Sequence, residues 1–128
     1  MKGNKNQALR KHFEVSDELR QLAARLNVDL IKAEARQKKW ARICRLVERQ
    51  GVVGLTLSSG SERWAVITPS CSPGMFRYTC FDQTGFIGHG DYDSPEDALV
   101  QAYQMGFTEW SPPNTLDLVA AGPAWLSA

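Results

Sequence analysis

The sequence predicts an α+β fold, and three observations carry that prediction. Apolar residues recur at helical spacing from Ser16 to Gly51, and they alternate with a period near two from there to Tyr92. Helical spacing returns after Ser94, behind a serine cap and a proline. The expected architecture is an N-terminal basic helix or helix pair, a four-stranded antiparallel meander, one packed helix and a short C-terminal helix. Three segments follow: a flexible N-terminus over 1–15, a basic helical segment over 16–50 and an acidic ββββα module with a tail over 51–128.

Residues 1–15 are polar and weakly periodic, which predicts a frayed start. Ser16 is a good N-cap, Asp17 and Glu18 complement the positive end of a helix, and Leu19, Leu22, Ala23 and Leu26 recur along one side. The stretch "LNVD" allows a break, with Asn27 left-handed and Asp29 capping a second helix, or one helix running on to Gln50. The break is favoured because the charge character changes there. Gly51 stops the helix in either case.

Beyond Gly51, "VVGLTLS" and "RWAVITP" read as a hairpin, "MFRYTCF" as a third strand, and "FIGHGDY" as a fourth, weakened by its glycines. Trp64, Phe76, Tyr78 and Phe86 are the expected aromatic core. In "SPEDALVQAYQMGF", Ser94 caps, Pro95 takes the first helical position and Gly106 ends the helix; Ala98, Leu99, Ala102 and Tyr103 form its buried stripe. A last short helix is expected near Thr115 to Ala121, ended by Gly122 and Pro123, and Trp110 and Trp125 flank it as late core or an exposed patch.

Charge is distributed unevenly. Residues 1–50 hold 13 Lys+Arg against 6 Asp+Glu, a net +7, while residues 51–128 hold 2 against 8, a net −6, which together match the chain's +1. In "QKKWARICRLVERQG" the cations Lys38, Arg42, Arg45 and Arg49 fall in one narrow arc of a helix, opposite Leu30, Ala33, Trp40, Cys44 and Val47. A polar stripe of one sign repels itself unless an anion compensates. Lys38, Lys39, Arg42, Arg45 and Arg49 are therefore the candidate contacts to a nucleic-acid backbone or to an acidic protein. The competing explanation is a solvated outer face.

"GDYDSPED" gathers Asp91, Asp93, Glu96 and Asp97, an alternative acidic contact surface. It could imitate phosphates and occupy the nucleic-acid site of a target protein, making this chain an inhibitor. The spacing fits no EF-hand loop, and Glu96 and Asp97 belong in the first turn of a helix, where acids complement the dipole. Cys71, Cys80 and His89 lack the close pairing of zinc ligands, and a fourth donor would have to be Asp91 or His12. No metal and no cofactor are expected.

Catalysis needs a nucleophile, a base and an orienting group. The histidines are His12 and His89, and no phosphate loop, nucleophile elbow or dinucleotide fingerprint is present. No enzyme is expected. DNA-reading sheets carry Arg and Lys on their exposed face, whereas the strands here offer only Arg63 and Arg77. Three cysteines without C-x-x-C spacing read as reduced thiols in a cytoplasmic protein, and no apolar run is long enough for a membrane span.

Overall fold

A computed structural model describes residues 2–60 and 62–122, with side chains from residue 6 onward. The chain divides into two compact units, Met1–Gln50 and Gly51–Ala128. The architecture is α+β, with N-terminal helices, an antiparallel sheet, a packed helix and a short last helix.

The first unit holds α1 (Lys2–Lys11), α2 (Asp17–Leu26) and α3 (Ile31–Gln50). Where the sequence suggests a frayed start, residues Lys2–Lys11 form α1. Its anchor is Leu9, which is buried, and whose carbonyl accepts the Trp40 indole N–H at 2.7 Å. Phe13 then turns the chain at φ 63, a conformation rare for a bulky side chain. Its ring is held edge-on to Trp40 at 5.0 Å, with the Arg36 guanidinium 5.0 Å above it.

The helix break after Leu26 is present. The Ser16 hydroxyl accepts the Leu19 N–H at the start of α2. At its end Asn27 is left-handed, Val28 N–H reaches the Ala23 carbonyl and Asn27 N–H the Ala24 carbonyl, a Schellman closure. Asp29 then accepts the Ile31 N–H at 2.8 Å and opens α3. Two ion pairs clip the shorter helices to α3: Arg10 to Glu48 at 2.6 Å and Arg20 to Glu34 at 2.7 Å. Trp40, Ile43, Cys44 and Val47 form the buried side of α3.

The second unit holds β1 (Thr56–Ser58), β2 (Arg63–Pro69), β3 (Phe76–Asp82), β4 (Gly85–Tyr92), α4 (Pro95–Gln104), β5 (Glu109–Ser111) and α5 (Thr115–Ala120). The sheet has five strands in the order β4-β3-β2-β1-β5, all neighbours antiparallel. The expected meander is its first four strands. The fifth, β5, places Trp110 opposite Leu57; it is three residues long and stops at a proline pair, too short to show a period in the sequence. A bulge in β4 leaves Ile87 unmatched, because Cys80 pairs with Gly88 while Phe81 pairs with Phe86.

Helix α4 packs on β2, β3 and β4. Its Ser94 cap accepts the Asp97 N–H, and Ala98, Leu99, Val100, Ala102 and Tyr103 are buried. Gly106, at φ 106, lets Gly106 N–H and Phe107 N–H close on the carbonyls of Tyr103 and Ala102. The core differs from the aromatic set expected. Leu55, Leu57, Ala65, Ile67, Phe81 and Leu99 are almost fully buried, while Trp64, Phe76 and Tyr78 are half-buried and Phe86 is 62% exposed. The bulge lies beside Phe86 on the edge strand β4, which has a neighbour on one side only. Pro123 and Trp125 lie outside the described residues.

Candidate nucleic-acid interface

The basic stripe is a product of the buried side of α3. Trp40, Ile43, Cys44 and Val47 fix which way the helix is rotated, so the residues opposite them must face water. Lys38, Arg42, Arg45 and Arg49 are all exposed. They follow one another at intervals of four, three and four residues, a row about 16 Å long at the helical rise. Among the described residues none of these four heads pairs with a carboxylate, whereas Arg10 and Arg20 each do.

Lys39 stands apart from the row. It is half-buried and already has a partner. One step along a helix turns it about 100° away from Lys38. The glutamate nearest the stripe is Glu48, and its charge is spoken for. The Arg10 guanidinium hydrogen-bonds it and holds its carboxyl below the ordinary range, with smaller help from the positive charges of Arg10 and Arg45. A groove of about 460 Å³ between α1 and α3 has Gln7, Arg10, Lys11, Glu14, Gln37 and Trp40 in its lining, so its exposed charges, Lys11 and Glu14 among them, are of both signs.

Within the acidic set, Asp91 is ion-paired. Arg77 and Asp91 are register partners on β3 and β4, joined Nε to Oδ1 at 3.1 Å. Ser70 completes a triangle, donating its hydroxyl to Asp91 and accepting from Arg77 Nη2. Asp91 is thus neutralised by a neighbour that sequence spacing did not flag; the signal lay in strand register. Glu96 also has a partner. Asp93 and Asp97 are exposed.

Cys71, Cys80 and His89 do not converge: among the described residues no group of three His, Cys, Asp or Glu side chains could hold a metal ion. His89 shares its sheet face with Thr79, its register partner, on a shallow groove of about 460 Å³ that also includes Thr68, Arg77 and Phe86. Burial pushes the Cys44 thiol up to about 11, so it stays protonated at neutral pH. No described helix is long and apolar enough to cross a membrane. Comparison with protein-family models, with curated proteins and with solved structures finds no match for this chain.

Proposed function

We propose that the chain is a small non-catalytic accessory protein that binds the nucleic-acid backbone through α3. One observation carries this reading: four exposed cations in a row, none pairing with a carboxylate among the described residues, on the outer side of a helix whose other side is fixed by burial. Arginine heads match phosphate oxygens in a two-pronged geometry, and lysine adds a point charge. Released counterions then supply affinity without sequence preference. No docking motif aims these side chains at base edges, so the contacts are to phosphates. A cytoplasmic location fits the three free cysteines.

The test is a titration of labelled duplex and labelled single strand against the full chain at two salt concentrations. Four phosphate contacts predict a log–log slope near −3.6 on duplex, about a 100-fold loss of affinity for a fourfold rise in salt. The exposed substitutions Arg42→Glu and Arg45→Glu together should flatten that slope by about 1.8 or more. Equal binding by wild type and this variant would remove the reading. A pull-down with and without nuclease covers the other partner class, since an acidic protein held by α3 survives nuclease and is lost in the same variant. The inhibitor reading, through Asp91, Asp93, Glu96 and Asp97, is weakened by the Arg77–Asp91 pair. It would return if a nuclease-resistant partner were lost on Asp93→Lys with Asp97→Lys.

A further inference from the structure

Helix α2 leaves three leucines in water. Leu19 is 38% exposed, Leu22 44% and Leu26 63%, at intervals of three and four along ten residues. Ala23 is the only buried residue of the helix, and Val28 and Ile31 just beyond it are exposed as well. Leucines exposed singly are ordinary, whereas a contiguous row on one helix marks a contact surface.

The charges beside that row say what fits it. Glu18 and Arg25, both exposed and without an ion-pair partner among the described residues, flank the leucines on the same side as one another at helical spacing. They are seven residues apart, about 10 Å along the axis, too far to pair within one helix. An antiparallel copy of α2 centred on Leu22 reverses that order. It brings Glu18 within a residue of level with Arg25 of the copy, Leu19 with Leu26, and Leu22 with Leu22. Each charge is then answered once, giving two Glu18–Arg25 pairs from one symmetry operation, and the helix dipoles oppose each other.

We infer that α2 is a self-association surface, and that its occupant is α2 of a second copy in antiparallel, two-fold arrangement. The Arg20–Glu34 pair clips α2 to α3, so such a dimer carries two basic stripes in one particle. The ten residues of α2 fall well short of the ~20–30 residues a side of a standard interface, so the association expected is weak, on the order of micromolar.

Sedimentation of the full chain from about 1 to 300 µM tests this, spanning the expected range. The expected result is a concentration-dependent monomer–dimer equilibrium. Leu22→Asp should weaken it about 30-fold or more. Glu18→Arg alone and Arg25→Glu alone should each weaken it about three- to tenfold, and the two together should restore it. Both charge swaps oppose the α2 dipole, so circular dichroism of each variant separates a loss of helix from a loss of association, and the double swap is read only where helix content is kept. A chain monomeric throughout would overturn the inference, whether its leucines then met vesicles or another protein. So would a dimer indifferent to Leu22→Asp, or a charge exchange that failed to restore association.

Discussion

A tryptophan on the buried flank of a basic helix brings a polar edge into the interior, and that edge needs an acceptor. In Trp40 the indole N–H finds the Leu9 carbonyl, so one hydrogen bond both satisfies the ring and pins α1 to α3. Trp40→Phe keeps most of the ring but leaves the carbonyl without this donor. The expected cost is about 1–3 kcal/mol in chemical denaturation, with faster amide exchange in α1 than in α3. Cys44 gives a pH-dependent counterpart. Its thiol is raised from 9.0 to about 11 by burial, so the folded state holds the proton more tightly than the unfolded chain. That stabilisation is complete below pH 9 and is lost as pH rises from 9 towards about 11. Thermal melts of the helical signal should fall across that window, and less steeply in Cys44→Ala. At pH 8 a thiol reagent should modify exposed Cys71 well before Cys44.

The helices of this chain announce themselves at their ends. Ser94 with Pro95 and Asp97 made α4 readable from local spacing alone, and the Ser94 hydroxyl does accept the Asp97 N–H at 3.1 Å. Ser94→Ala should therefore cost about 1 kcal/mol in denaturant unfolding, and Ser94→Asp far less, since an aspartate also caps. Ser16 and Asn27 were legible for the same local reason: their chemistry acts within three residues. What sequence could not show depends on partners far along the chain. Helix α1 has no acid in its first turn and a single buried leucine, and its order rests on Trp40, thirty-one residues away. Strand β5 exists by pairing with β1, more than fifty residues earlier, and the neutralisation of Asp91 follows from a cross-strand register. The basic stripe was legible because helical periodicity is itself local. Phe86 was misread as core because its alternation was right but the bulge and edge position of β4 were invisible.

At the scale of the whole molecule the two charge blocks set a condition on any anionic partner. A net +7 over residues 1–50 attracts phosphate, while a net −6 over residues 51–128, tethered to it, repels the same phosphate. How strongly the second block is felt depends on salt, since the screening length shrinks from about 30 Å at 0.01 M to about 8 Å at 0.15 M. Charges of the sheet unit that make no contact with nucleic acid should thus still depress binding in dilute buffer and stop doing so near physiological salt. Glu62 and Asp93 suit the test, because both are exposed, neither belongs to an ion pair among the described residues, and neither lies within a helix. Glu62→Gln with Asp93→Asn should raise duplex affinity about two- to threefold at 0.01 M salt and leave it unchanged at 0.15 M. An inhibitor built on the acidic block responds with the opposite sign, losing its protein target when those carboxylates are neutralised. The direction of that one response therefore separates a protein that seeks phosphate from one that imitates it.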